Sequence, residues 1–253
     1  MASPYQQFKQ LHHQDGLFLL PNAWNVTSAL QYQEAQYPAV ATTSAAVAGS
    51  LGYEDGEQIP FEEYLLIIRR IKSAVQVPVS VDLEKGYGDT PEAVYENLQK
   101  LVDLGIAGIN IEDSQGKALQ DADVFAKKIT FLKNKLAAAN QELFFNLRCD
   151  TYLLDVPNKQ EETLRRLKLY ENTGADSIFL PFAVNPDDIA AAVNNSTLPV
   201  TLMSTPTLPD FTTLERLGVK RVSMGAFLFR KLYSGIVPLA EAIKTANNFS
   251  PLF

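Results

Sequence analysis

One cysteine, two histidines and one tryptophan in 253 residues put several chemistries out of reach. Cys149 has no partner for an internal disulfide, which suits a reducing, cytoplasmic setting. His12 and His13 sit in a polar amino-terminal segment and read as surface residues, so a Ser-His-Asp triad is not expected. Positive charge is scarce as well. There are 22 Lys and Arg against 29 Asp and Glu, a net charge of -7 with a pI near 5.0. That balance argues against a nucleic-acid or anionic-membrane surface. No window has the unbroken apolar length of a membrane span, and residues 1–15 lack the form of a secretory signal. The 46% hydrophobic content is enough for one large core or two small ones.

What is present is a repeat of short apolar, β-branched runs, each followed by a helical stretch. Strands are predicted at 17–20, 39–43, 77–82, 107–112, 143–149, 177–181, 198–203 and 221–224. Amphipathic helices are predicted at 61–75, 91–104, 122–138, 159–173 and 186–193. Gly105, Gly174 and Gly218 stand where helix C-caps belong. Thr90-Pro91 and Asn185-Pro186 supply a cap followed by proline in the first turn. Eight strand–helix units in this length predict a single-domain α/β protein, a (β/α)8 TIM barrel. The open doubly wound sheet would want a glycine-rich turn after its first strand, and Leu20-Pro21-Asn22-Ala23-Trp24 has none. The tail, 226–253, is interrupted by Gly235 and Pro238 and is expected to form two helices.

Barrel enzymes carry their chemistry at the C-terminal strand ends, and here those ends are acidic. Period-two alternation puts Ser80, Asp82 and Glu84 on one face of the third strand. It does the same for Asn110 and Glu112 on the fourth and for Asn146, Arg148 and Asp150 on the fifth. Carboxylates crowded in this way repel and call for a cation. Oxygen donors without a His or Cys cluster favour Mg2+ or Mn2+ over zinc, so Asp82, Glu84 and Glu112 are the expected metal ligands. Arg148 fits either a structural ion pair or a two-pronged grip on a substrate carboxylate. Asp113 and Asp121 read as caps or solvated loop acids. Cys149 points away from Arg148, as a packed core thiol. Trp24 and Tyr87 fit core or rim equally.

These motifs resemble the isocitrate lyase and phosphoenolpyruvate mutase superfamily, in its short-loop, phosphonomutase-like branch. Asp82-Leu83-Glu84-Lys85-Gly86-Tyr87-Gly88 matches its Asp-x-(Asp/Glu)-x-Gly-Tyr-Gly signature. Pro21-Asn22-Ala23-Trp24-Asn25, Thr43-Ser44-Ala45, Gly52-Tyr53-Glu54-Asp55-Gly56, Ile111-Glu112-Asp113-Ser114 and Leu147-Arg148-Cys149-Asp150 fall in family order. The resemblance implies that Asp82 and Glu84 hold Mg2+ directly or through water, with Glu112 and Asp55 in the same network. Thr43, Ser44 and Ala45 would bind the substrate carboxylate through backbone amides, aided by Arg148. It also places Arg148, Tyr87 and Asp55 in the catalytic set, and Trp24, Gly86 and Asn110 around a small 2-oxo acid. A homo-oligomer, dimer or tetramer, with the tail on a neighbouring subunit, is implied too.

The implied activity is a Mg2+-dependent lyase or hydrolase that breaks a C–C or C–P bond beside a 2-oxo carboxylate, through a stabilised enolate. Oxaloacetate-like and phosphonopyruvate-like acids are the candidate substrates. The sequence departs from the family after the fourth strand. Lyases there carry Lys-Lys-Cys-Gly-His, where this chain has the short Ser114-Gln115-Gly116-Lys117-Ala118-Leu119-Gln120-Asp121. Two alternatives follow: a barrel that binds an organic acid without turnover, and a Schiff-base aldolase using Lys85 or Lys220.

Overall fold

The computed structural model describes residues 2–253. Its strands are β1 (Phe18–Leu20), β2 (Asn22–Ala23), β3 (Val40–Thr42), β4 (Val79–Asp82), β5 (Gly108–Glu112), the small hairpin β6 (Ser114–Gln115) and β7 (Ala118–Leu119), β8 (Phe144–Arg148), β9 (Ser177–Leu180), β10 (Val200–Met203) and β11 (Arg221–Ser223). The helices are α1 (Pro4–Leu11), α2 (Val26–Glu34), α3 (Ser44–Leu51), α4 (Phe61–Ala74), α5 (Pro91–Asp103), α6 (Ala122–Ala138), α7 (Lys159–Tyr170), α8 (Pro186–Asn194), α9 (Phe211–Arg216), α10 (Phe227–Tyr233) and α11 (Ile236–Ala246). Every predicted strand is present within two residues of its predicted ends.

Outside the hairpin, all strand pairs are parallel, in the order β1-β11-β10-β9-β8-β5-β4-β3-β2. Only Pro21 separates β1 from β2, so the two ends of that order belong to one ribbon and the sheet closes into an eight-stranded barrel. Proline has no N–H to give the ladder, and the ribbon changes partner there, from β11 to β3. Asn22 covers the break. Its Nδ2 donates to the Thr42 carbonyl at 2.8 Å, and its Oδ1 accepts from the amides of Met224 and Gly225, both at 2.9 Å.

Alternation along β8 shows how the layers are built. Phe145, Leu147 and Cys149 join the large apolar layer between strands and helices, whereas Phe144, Asn146 and Arg148 face the interior. The barrel floor is apolar. Phe18, Leu20, Ala41, Ala107 and Phe144 pack with Phe8 of α1, which plugs the bottom. Gly108 leaves room for that plug, because a Cβ there would meet Phe144 Cβ at 2.9 Å and Phe8 Cε1 at 3.2 Å. Above the floor lies a polar layer. Arg221 donates to Asn110 Oδ1 at 3.3 Å, Asn146 donates to the same oxygen at 2.7 Å, and Ser177 and Thr201 donate to Asn146.

His12 corrects the surface reading, since it is fully buried while His13 is exposed. One helical turn beyond Phe8, it falls on the same apolar face of the plug. Its ring stacks on Phe144 at 4.3 Å, its Nδ1 lies 2.9 Å from the Phe8 carbonyl and its Nε2 lies 3.2 Å from Arg221 Nη1. Burial, and then the Arg221 charge, hold its pKa well below the usual value of 6.5. A depressed histidine pKa favours the folded state above the unfolded-state value and loses that contribution as pH falls below it. The stability gap between wild type and His12→Phe, from urea unfolding, should therefore narrow below pH 6.5, by about 1.4 kcal/mol per pH unit at most. A gap constant with pH would contradict a neutral, buried His12.

Candidate active site

The C-terminal mouth of the barrel holds a cavity of about 230 Å³ lined by Asn22, Thr43, Ser44, Ala45, Asp55, Asp82, Asn110 and Arg148 together with apolar side chains from the later strands. Six of the predicted site residues that meet here, Thr43, Ser44, Ala45, Asp82, Asn110 and Arg148, come from β4, β5, β8 and the start of α3. The register accounts for three of them, because Asp82 lies beside Asn110 and Glu112 lies beside Arg148.

The start of α3 is built to meet an anion. Its cap residue, Thr43, makes no side-chain capping bond. Ser44 turns instead to the acids: its amide and Oγ donate to Asp82 Oδ2 at 3.2 and 2.9 Å, and its Oγ reaches Asp55 Oδ1 at 3.2 Å. The Thr43 amide is taken by the Ala23 carbonyl at 3.2 Å and the Ser44 amide by Asp82, so of the three predicted amides Ala45 is left for a carboxylate, at the positive end of the helix dipole.

Across from it, Arg148 is already engaged. Its Nη1 lies 2.8 Å from Glu112 and its Nε lies 2.6 Å from Asp150. Burial weighs against this guanidinium's charge, but Glu112, Asp150 and Asp82 outweigh it and raise its pKa. Both alternatives for Arg148 thus apply in part. The ion pair exists, and it fixes the guanidinium at the cavity wall.

Five predicted residues, Trp24, Glu84, Gly86, Tyr87 and Glu112, stand outside the cavity lining. Glu84 is buried and accepts from Tyr87 Oη at 2.9 Å. The strand ends at Asp82, and Glu84 has φ of 50°, so period-two alternation no longer governs where it points. Tyr87 packs against Phe61 and Tyr64. Gly86, at φ of 113°, presses on Val94, where a Cβ would come within 2.6 Å. Trp24 is buried and meets Phe229 of α10 edge-on at 5.4 Å. Neither Lys85 nor Lys220 lines the cavity, and Lys85 pairs with Glu57 at 3.1 Å.

Glu57 was not foreseen. One of its oxygens accepts from the amides of Lys85 and Tyr87, at 3.0 and 2.8 Å, so it clamps the strained loop after β4. Only a lone acid in a loop marked it in the sequence. Asn22 was equally silent as a site residue, although a polar residue inside an apolar strand was its signal.

Four carboxylates, Asp55, Asp82, Glu84 and Glu112, act on one another here. Burial, then Asp82 and Asp55, push Glu84 up to about 8. Burial, with Asp150, Asp82 and Asp55, brings Glu112 to about 8 against the pull of Arg148. Burial and Asp82 also raise Asp55. Such a set, with oxygen donors only and too little positive charge, suits Mg2+ or Mn2+. Among the described residues no three His, Cys, Asp or Glu side chains are close enough to enclose an ion unaided. An ion seated on Asp82 would need water to reach the other acids, which is the habit of Mg2+.

A family model described as phosphoenolpyruvate phosphomutase matches residues 8–244. The chain belongs to that family. It is also similar to a 2-methylisocitrate lyase of Salmonella typhimurium, 27% identical over 193 residues, 71% of this chain and 62% of that protein. An uncharacterized protein of Mycobacterium tuberculosis is 36% identical over 241 residues, 95% of this chain and 89% of that protein. A crystal structure of a candidate phosphonomutase from Burkholderia cenocepacia J2315 superposes with a TM-score of 0.87 at 33% identity, covering 92% of this chain and 97% of that one. Phosphonopyruvate hydrolase in complex with oxalate and Mg2+ shares the fold, with a TM-score of 0.85 at 21% identity over 98% of this chain and 89% of that one.

Of the two acids read as caps or solvated loop residues, Asp121 fits that reading and Asp113 corrects it. Asp121 caps α6, accepting from the Val124 amide at 3.0 Å. Asp113 is fully buried and joins barrel to helix layer, with Arg166 at 2.8 Å, Tyr170 Oη at 2.6 Å and the Asp150 amide at 2.9 Å. Asp113→Ala leaves the buried Arg166 charge short of a partner and should cost about 3–5 kcal/mol in urea unfolding. A loss near zero would show that Asp113 is not the tie between these layers.

Proposed function

We propose that the chain is a Mg2+- or Mn2+-dependent enzyme that cleaves a C–C or C–P bond beside the carboxylate of a small 2-oxo acid. The observation that carries this reading is the start of α3, with Ala45 on the cavity wall, beside Asp82 and Asp55 in one cavity. A carboxylate-binding amide and cation-binding acids stand next to each other, as a 2-oxo acid requires. Asp82 would hold the cation, with Asp55, Glu84 and Glu112 reaching it through water. A divalent cation bound there would offset the negative charge that develops on the 2-oxo oxygen as an enolate forms.

The remaining roles belong to the protein's own groups. The Ala45 amide, at the positive end of α3, orients the substrate carboxylate. Ser44 fixes Asp82 and Asp55 by donating to both. Arg148, anchored by Glu112 and Asp150, sets a positive edge on the opposite wall. Tyr87 and Glu57 hold the loop that carries Glu84. No helix among the described residues is long and apolar enough to cross a membrane, and with one buried thiol the enzyme suits the cytoplasm.

A second reading, acid binding without turnover, draws on one observation. The hairpin β6–β7, where lyases of the superfamily place a cysteine and a histidine, contributes no side chain to the cavity.

The tail supports self-association. None of the residues of α10 or α11 is buried, and Leu232, Ile236 and Val237 are 55, 56 and 64% exposed. We assign this face to a second copy of the chain, in a dimer or tetramer. In sedimentation velocity the wild type should run as an oligomer and the double variant Ile236→Glu/Val237→Glu as a monomer. A monomeric wild type would remove the assignment.

Asp82→Ala tests the catalytic reading. The far-UV spectrum should be unchanged, while Mg2+ affinity in calorimetry falls by more than the roughly 10- to 100-fold that loss of an outer partner costs. Unaltered Mg2+ affinity would overturn the role of Asp82.

A further inference from the structure

We propose that Arg221, held by a neutral His12, is a positioning residue that turns the Asn110 side chain so that its amide group donates into the cavity, to an oxygen of the bound acid. The inference deepens the proposed function and rests on it for the identity of that acid.

Asn110 stands where such a donor is useful. It lines the cavity and lies beside Asp82 on the neighbouring strand, and adjacent strands run about 4.8 Å apart. A cation seated on Asp82 would hold an oxygen of the acid at that same level of the barrel.

The direction of the amide follows from what lies beneath it. Asn110 Oδ1 accepts from Asn146 Nδ2 at 2.7 Å and from Arg221 Nη2 at 3.3 Å. A guanidinium has donors only, so the Asn110 nitrogen cannot face it. Asn146 is set in the same sense, because Ser177 and Thr201 donate to its Oδ1 at 2.5 and 3.1 Å. The Asn110 Nδ2 group is therefore turned away from the core. It bonds to none of the described residues, yet it is not one of their buried polar atoms left without a partner, so it opens onto the cavity.

Arg221 is aimed from the other side. The Phe8 carbonyl can only accept, so the proton of His12 sits on Nδ1, 2.9 Å away. Nε2 is then a bare acceptor and takes Arg221 Nη1 at 3.2 Å. The imidazole is locked in this orientation, stacked on Phe144 and met edge-on by Phe8 and Phe18. One hydrogen-bond polarity thus runs from the barrel floor through His12, Arg221 and Asn110 to the mouth.

Stability alone does not account for this chain. Arg221 is fully buried, forms no ion pair with any described residue, and its Nε has no partner. A well-packed apolar side chain in this layer would be the more stable choice. An acid in place of His12 would neutralise the guanidinium and add to the negative charge crowded above it. A neutral imidazole anchors Arg221 and leaves its positive charge beneath the mouth, where Asp82 is the acid that feels it.

The test is calorimetric titration of oxalate, with Mg2+ present, into the full chain and its variants. Asn110→Ala should weaken oxalate binding at least about tenfold, the scale of one charge-assisted hydrogen bond. Arg221→Met should weaken it by a similar factor, and the double variant Asn110→Ala/Arg221→Met by no more than either alone. Arg221→Lys, which keeps a donor under Asn110, should recover part of the loss. Factors that multiply in the double variant, as a merely structural Arg221 would give, overturn the positioning role. The Asn110 side-chain amide signal, assigned in an NMR spectrum by its loss in Asn110→Ala, provides a readout in the unmutated protein. It should shift when oxalate and Mg2+ saturate the wild type, and an unmoved signal overturns the donor role whether or not the Arg221 variants fold. Oxalate binding to wild type without these effects overturns the inference alone, whereas a wild type that binds no oxalate overturns the proposed function with it.

Discussion

The carboxylates at the barrel mouth repel one another, and much of the surrounding structure serves to keep them together. Asp55, Asp82, Glu84 and Glu112 feel one another's charge, and the half-buried Arg148 beside them is paired with Glu112 of the group. Each is tied down separately. Ser44 donates to Asp82 and Asp55, Tyr87 to Glu84, and Arg148 to Glu112. Left to itself such a set would take up protons or splay apart. Holding it in place accords with the proposed function, in which a bound cation would offset the crowded charge.

Below that layer the interior changes character in steps. The floor is hydrocarbon, closed by Phe8 and its neighbours. The middle layer is hydrogen-bonded, with Arg221 buried among Asn110, Asn146 and His12 and its pKa pushed down to about 9 by burial. Removing solvent beneath the acids strengthens every charge interaction at the mouth. Asn22 links the two functions of the upper rim, since it closes the ribbon interrupted by Pro21 and sets the start of α10.

Much of this was legible in the sequence because periodicity and caps act locally. The strand runs, the capping by Thr90 and Asn185 and the inward parity of Asp82, Asn110 and Arg148 depend only on near neighbours. Legibility ended where the backbone left regular geometry or where distant segments met. Glu84 and Gly86 follow a strand that has already ended, in a loop with left-handed residues. His12 was misread because its burial depends on Phe144 and Arg221, far away in the chain. Glu57 reaches the site only through tertiary contacts, and the tail's apolar residues look alike whether they cover their own barrel or another.

The central claim is that this mouth binds a cation and, through it, the enolate form of a 2-oxo acid. Oxalate mimics that enolate, so the most direct measurement is calorimetric titration of oxalate into wild-type protein with Mg2+ and again with EDTA. The account predicts tight, saturable oxalate binding that disappears in EDTA. Binding of equal strength in both, or in neither, would contradict it.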